Sequence, residues 1–178
     1  MTKDKTESKI ENKIEPLEIL LSCKGIYTGL GVNHEDVQFR GLLEIIPVVN
    51  DKGVNIKYRA VGIHGNEFDD LDNLFSSETV LFNEEHTLIA YNNHNKLCLW
   101  TLNYNVPTVC VFKLRRFRRI PGNKTIFIFG FGERSDEKIF REEISIEIWD
   151  AGNIAYNYYW GEAGGHFLSR STVIMRKL

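Results

Sequence analysis

The sequence has few of the residues that mark disulfide-rich or metal-binding proteins. Its 178 residues include only three cysteines, four prolines and two methionines. The cysteines, Cys23, Cys98 and Cys110, are widely spaced, so they form neither a disulfide framework nor a paired C-x-x-C metal motif. We therefore expect a reducing, cytoplasmic location, with inert cysteines packed in apolar strands.

Long apolar runs and an excess of one charge are also missing. The longest apolar runs, 45–49 and 109–112, have the length of a strand, whereas a membrane-spanning helix needs about 18 or more apolar residues. Residues 1–18 are rich in charge where a secretory signal would be apolar. The net charge of −2, from 22 basic and 24 acidic residues, argues against a protein dedicated to nucleic-acid binding.

The residues that are abundant favour an all-β protein. Hydrophobic residues make up 43% of the chain and aromatic residues 12%, and 14 glycines accompany frequent asparagines in turn-like segments. Residues 1–16 are predicted to form a flexible charged tail in which Pro16 interrupts any helix, and residues 17–178 a single barrel domain. A short helical turn over 17–23 is expected to precede the first strand.

Alternating apolar residues predict a series of short antiparallel strands. In the segment 37–48, for example, Phe39, Gly41, Leu43 and Ile45 share one face. So many strands with short connections favour an up-and-down lipocalin-like β-barrel of about ten or eleven strands, with a two-sheet sandwich as the alternative. The predicted strands are 24–32, 37–48, 54–63, 74–82, 87–92, 96–104, 108–115, 125–132, 139–149, 154–160 and 167–176.

The first predicted strand carries the pattern G-x-aromatic-x-G-x-G at Gly25, Tyr27, Gly29 and Gly31. This pattern resembles the first strand of the calycin superfamily, and in particular that of nitrobindin-type haem-binding barrels, with Tyr27 where a tryptophan is usual. The resemblance implies an intracellular barrel that holds a ligand inside. It also implies haem as a candidate cofactor, for which His166, just before the last strand, is the candidate ligand.

Aromatic residues are the best candidates for a ligand site. Tyr and Trp combine an apolar body with one hydrogen-bond donor, which suits a partly polar small molecule. The predicted ligand-binding residues are Tyr27, Tyr58, Trp100, Phe129, Tyr158 and Trp160, with His166 as a polar contact near the barrel mouth. A dry, packed core is the alternative, because alternation shows which residues share a face but not which face is inside.

Two charged segments stand out. The acidic segment 67–73 lacks the glycine and the final glutamate of a calcium loop, so it is expected to be a solvated loop. The basic run 113–119 has five cations around Phe117. It is either an interaction surface with Phe117 as a stacking face, or a strand end that pairs with acidic neighbours such as Glu142 and Glu143.

No catalytic motif is present. The sequence contains no G-x-S-x-G, no H-E-x-x-H and no phosphate-binding glycine loop, and its histidines fall in predicted turns without metal-ligand spacing. The leading hypothesis is a non-catalytic barrel that binds a small apolar or amphipathic molecule. The alternatives are a barrel enzyme with cavity histidine and tyrosine as acid and base, a haem-binding barrel, and an interaction module that uses the run 113–119.

Overall fold

The computed structural model describes residues 15–63, 80–149 and 152–178. They form one closed antiparallel barrel of ten strands preceded by one short helix, which confirms the predicted fold. The elements are α1 (Pro16–Ser22), β1 (Gly25–Asn33), β2 (Gln38–Val48), β3 (Gly53–Gly62), β4 (Leu81–Tyr91), β5 (Leu97–Asn103), β6 (Val106–Ile120), β7 (Lys124–Phe131), β8 (Arg141–Trp149), β9 (Ile154–Gly161) and β10 (Leu168–Lys177).

Each strand pairs with its neighbours in sequence, and β1 closes the barrel against β10. Tyr27 lies opposite Lys177 at one end of this seam, and Asn33 lies opposite Ser171 at the other. We call the end where β1 finishes and β8 begins the mouth, and the opposite end, which carries α1, the base. Closure leaves no unpaired strand edge, which explains how so many strands form one stable sheet.

The glycines of the first-strand pattern allow the backbones and rings at this seam to approach closely. A Cβ atom at Gly29 would overlap the carbonyl of Ile174 on β10, and one at Gly31 would overlap the ring of Phe39 on β2. Only glycine fits at these positions without a shift of the neighbours. The pattern that suggested a calycin-like strand therefore has a packing role in the closure of the barrel.

Helix α1 covers the base. Pro16 is its first residue, where the missing N–H has no intrahelical partner to lose. The sequence had suggested that Pro16 interrupts a helix. In the structure it begins one instead. Leu17 and Leu20 are buried in the barrel core, and Tyr27 donates a hydrogen bond of 2.7 Å from its hydroxyl to the carbonyl of Cys23 just after the helix. The predicted division at residue 16 stays a prediction, because residues 1–14 lie outside the described part.

The barrel is packed through its middle and its base. The predicted alternation on β2 is confirmed, since Phe39, Leu43 and Ile45 are all buried. On β7 and β8, Phe127, Phe129, Ile144 and Ile146 have no exposed surface. The two Phe rings on β7 stack with centroids 6.4 Å apart. A packed core, the alternative to a ligand-lined interior, is thus present over this part of the barrel.

One predicted connection is wrong. Residues 83–86 were expected to join two strands, but they lie within the single strand β4, where Glu85 pairs with Tyr58 on β3 and with Asn103 on β5. The polar residues of this segment are typical of a turn. In the structure, however, Asn83 and Glu85 face the barrel interior, where they have hydrogen-bond partners that the sequence does not show. The predicted strand 74–82, the acidic segment 67–73 and His64 fall wholly or mostly outside the described residues.

Candidate functional site

A cavity of ≈480 Å³ lies at the mouth of the barrel. Its walls combine aromatic and polar side chains from strands on all sides of the mouth. The aromatic lining residues are Phe39, Tyr58, Phe82, Phe140, Tyr158 and Trp160. The polar ones include Asn33, Asn83, Asn103, Asn105 and Glu142, with His34, Glu162 and Arg170 toward the rim.

A buried carboxyl group, that of Glu85, lies below the cavity. Its residue is only 1% exposed. The hydroxyls of Tyr156 (2.6 Å) and Thr87 donate to its Oε1, and the hydroxyl of Tyr158 and the amide of Asn103 (3.4 Å) donate to its Oε2. Burial raises the pKa of Glu85, although the hydrogen bonds from Thr87, Tyr156 and Asn103 oppose that rise.

Three tyrosines surround Glu85, and we call them the tyrosine cluster: Tyr58, Tyr156 and Tyr158. The ring centroids of Tyr58 and Tyr156 are 5.0 Å apart, and those of Tyr156 and Tyr158 are 5.4 Å apart. Burial, and secondarily the charge of Glu85, raise the pKa values of Tyr58 and Tyr156. Both phenols therefore stay protonated; Tyr156 donates to Glu85, and Tyr58 forms part of the cavity wall.

Glu142 is the carboxyl group that faces the cavity itself. It lies second on β8 and shares its face with the buried Ile144 and Ile146. Only 6% of the residue is exposed, and its carboxyl forms no hydrogen bond or ion pair with the described residues. Burial, and secondarily the charge of Glu85, raise the pKa of Glu142 to about 8.

The rim of the cavity is built around Trp160. The guanidinium carbon of Arg170 lies 3.8 Å from the centroid of the Trp160 ring, and Arg170 Nε donates to the Trp160 carbonyl at 3.2 Å. The rings of His34 and Phe140 lie 6.2 and 6.4 Å from the same ring. These contacts hold the indole at the cavity opening.

A buried guanidinium group holds the mouth connections in place. Arg141 is 1% exposed and donates to the carbonyls of Arg134 (3.0 Å), Ile139 (3.2 Å), Glu162 (2.9 Å) and Gly165 (2.7 Å). These carbonyls belong to the connections before β8 and after β9. Arg141 therefore joins the two loops that border the cavity on this side.

The structure brings together three of the predicted ligand-binding residues, Tyr58, Tyr158 and Trp160. Phe129 is buried in the packed core, and Tyr27 lies in a separate depression at the base. Trp100 alternates with the buried Leu99 and Thr101, so it lies on the outer face, beside Leu88 and Leu102. His166 is exposed and is not a lining residue of the cavity.

Sequence reasoning missed Glu85 and took Glu142 for a surface residue. Both carboxyls share a strand face with apolar residues: Glu85 with Thr87 and Ile89, and Glu142 with Ile144 and Ile146. That placement on an apolar face is the signal that could have found them.

The basic run 113–119 lies on β6, and one of its residues, Arg115, forms ion pairs. Arg115, at a bulge, contacts Glu143 at 3.2 Å and Glu133 at 3.5 Å. Pairing with Glu143 agrees with the expectation, but pairing with Glu142 is wrong, because adjacent residues of a strand face opposite sides. Phe117 packs against Phe127 with ring centroids 5.1 Å apart, so it is a core contact and not a free stacking face.

His166, the candidate haem ligand that the resemblance implied, does not face this cavity, because it is exposed and lies outside the lining. His34, the only histidine among the described lining residues, is exposed at the rim. Within residues 15–63, 80–149 and 152–178, no group of three histidine, cysteine or acidic side chains is placed to hold a metal ion.

Comparisons with known proteins support the fold alone. No protein-family model and no curated protein matches the sequence. Among solved structures, the chain is similar to the crystal structure of Rv2717c from M. tuberculosis, with a TM-score of 0.64 over 93% of this chain and 99% of that chain. The sequence identity is 9%, so this similarity shows the barrel fold alone. The described part of the chain contains no helix with the length and apolar character of a membrane span.

Proposed function

We propose that this protein is a non-catalytic, cytoplasmic barrel that binds a small amphipathic molecule in its mouth cavity. One observation carries the proposal: the packed core stops short of the mouth, where inward aromatic and polar side chains line a cavity of ≈480 Å³. That volume lies in the range of about 300–1,000 Å³ typical of small-molecule sites. The depression of ≈440 Å³ at the base lies between α1 and the strand ends instead.

The lining suits a ligand with one apolar and one polar part. Phe82, Phe140 and Trp160 offer apolar ring faces toward the rim. Asn103 and Tyr158 offer polar groups toward the Glu85 side, where they are held by hydrogen bonds. A few fixed polar groups within an apolar wall orient a ligand, whereas the apolar contacts supply most of its affinity.

The tryptophans allow a matched test. Trp160 lines the cavity, Trp100 lies on the outer face and Trp149 lies at the base. Titration with a fluorescent long-chain alcohol, which carries no charge, should give saturable energy transfer from tryptophan. The transfer should persist in Trp100→Phe and fall at least severalfold in Trp160→Phe. Equal transfer in both variants, or no saturable binding, would overturn the proposal. Native mass spectrometry of the purified protein should also show a retained small molecule.

A second candidate function, acid–base catalysis in the same cavity, is favoured by Glu142. With its pKa raised to about 8, this carboxyl holds a proton near neutral pH, as a general acid must. The partner roles that the sequence suggested fit less well, because burial raises the pKa values of Tyr58 and Tyr156 far from those of bases. Mass analysis of the co-purified molecule after prolonged incubation with the protein separates the two. An unchanged molecule supports binding alone, and a converted one supports catalysis.

A further inference from the structure

We propose that the ligand of the mouth cavity carries a basic or quaternary nitrogen that pairs with the Glu142 carboxylate inside aromatic walls. This inference rests on the proposed function, since it names the class of molecule that the same cavity binds. The proposed function requires only that the ligand fit the cavity, whereas this inference assigns Glu142 as the residue that selects the charge of the ligand.

The Glu142 side chain is buried and has no partner of its own among the described residues. It is nine-tenths buried, it faces the cavity, and among the described residues it has no hydrogen-bond or ion-pair partner. The neighbouring buried acid, Glu85, has donors on both carboxyl oxygens. An ionisable group in so buried a position is costly unless something satisfies it. The Glu142 carboxyl opens onto the cavity, so a polar group of a bound ligand can serve as its partner.

No basic side chain among the described residues neutralises the Glu142 carboxyl. Glu85 faces Glu142 from β4, the buried thiol of Cys110 lies near it on β6, and the hydroxyls of Tyr58 and Tyr158 line the cavity from β3 and β9. At the rim are the exposed Glu162, the exposed His34 and Arg170, whose guanidinium lies against Trp160. The nearby Arg141 lies on the opposite strand face and donates to backbone carbonyls. Among the described residues, no Lys or Arg forms an ion pair with either inward carboxyl group.

The aromatic rings that line the cavity can attract a cation. The electron-rich faces of tyrosine and tryptophan attract ammonium groups, and the attraction is strongest where water is excluded. Trp160 already holds the Arg170 guanidinium at 3.8 Å, which shows that its ring accepts a cation. Tyr58 and Tyr158 are buried or nearly so, with ring centroids 6.2 Å apart. A carboxyl group among such rings is suited to a compact cation on an apolar chain.

Proton release gives this proposal a measurable signature. Because the pKa of Glu142 is raised to about 8, its carboxyl is mostly protonated at pH 7 in the free protein. A quaternary ammonium ligand carries no proton of its own, so its binding to the carboxylate releases a proton from Glu142 to solvent. Affinity should therefore rise by up to about tenfold per pH unit below pH 8 and level off above it.

The test uses three probes with the same chain: dodecyltrimethylammonium, dodecanol and dodecanoate, each below the concentration at which it forms micelles or separates from water. We expect calorimetry at pH 8.5 to show the ammonium probe binding at least tenfold more tightly than the alcohol. Titrations at pH 6.5 in buffers of different ionisation enthalpy should show proton release. Glu142→Gln should abolish both the preference and the pH dependence while it keeps alcohol binding. Glu35→Gln, at an exposed carboxyl in the β1–β2 connection outside the cavity lining, should change the preference less than twofold.

The possible failures are distinguishable. If the wild-type protein binds the alcohol or the carboxylate as tightly as the ammonium probe, the charge assignment is overturned and the proposed function survives. If the preference persists in Glu142→Gln, Glu142 is not its determinant. If no probe binds saturably, the proposed function fails together with this inference. A thermal melt of Glu142→Gln shows that the variant is folded, since the substitution keeps the shape of the side chain.

Discussion

The base and the mouth of the barrel are built from the same ten strands, yet their interiors differ. At the base, inward residues are apolar and α1 adds Leu17 and Leu20 to a packed core. At the mouth, the inward positions of β4 and β8 hold Glu85 and Glu142 beside a cavity. Close packing of apolar side chains stabilises the fold and leaves little space for a ligand. A ligand needs the unfilled space and the polar groups that the mouth provides.

The largest expected effect comes from the packed region. Phe129→Ala should lower the free energy of unfolding by about 3–5 kcal/mol, because it removes a fully buried ring and leaves a cavity. Urea titration followed by circular dichroism measures this loss. Trp100→Ala, on the partly exposed outer face, is the control and should lose much less. Equal losses would contradict the assignment of these two rings to opposite faces.

The next effect tests how the mouth is held together. Arg141→Met keeps the length and apolar stem of the side chain but leaves four backbone carbonyls without their donor. We expect a loss of about 2–4 kcal/mol, since each buried carbonyl left unsatisfied is costly. Hydrogen exchange should accelerate in 133–140 and 161–167 and stay unchanged in α1. Faster exchange at the base alone would be the wrong outcome.

A pH effect is expected from Glu142. Its pKa is raised from 4.5 to about 8 on folding, so the folded state binds this proton more tightly than the unfolded state does. The resulting stabilisation is complete below about pH 4.5 and disappears as the pH rises through 8. Between pH 6 and 7, the wild-type protein should lose up to about 1.4 kcal/mol relative to Glu142→Gln. Denaturant midpoints of both proteins across pH 5–9 measure the difference, and parallel curves would argue against a buried, protonated Glu142.

The smallest effect concerns the hydrogen bonds beneath the cavity. Tyr156→Phe removes the 2.6 Å donor to Glu85 while keeping the ring. We expect a loss of about 1–2 kcal/mol. The matched control is Tyr159→Phe, one residue from the tyrosine cluster's Tyr158 but on the opposite strand face, with an expected change within about 0.5 kcal/mol. Chemical denaturation at pH 7 resolves the two, and a tolerated Tyr156→Phe would mean that Glu85 does not depend on this donor.

The architecture was predictable from residues that are local in sequence. Period-two alternation placed Phe39, Leu43 and Ile45 on one face, and the glycine pattern at 25–31 marked the first strand. The acid sites were not predictable in the same way. Glu85 was assigned to a turn because the polar stretch 83–86 looks like a connection, and its partners Tyr156 and Tyr158 lie more than seventy residues away.

The sequence by itself determined an antiparallel barrel, a helical segment before it and most of the strand faces, since these depend on side-chain periodicity, turn residues and apolar content. Only the tertiary structure decided which faces are inside, which end is filled and where two carboxyl groups meet a cavity. The physical reason is that burial is a property of the closed sheet. Closure brings β4, β8 and β9 to the same interior space. That shared environment makes Glu142 a buried, partnerless acid, whereas Glu143, next in sequence, forms ion pairs on the outer face.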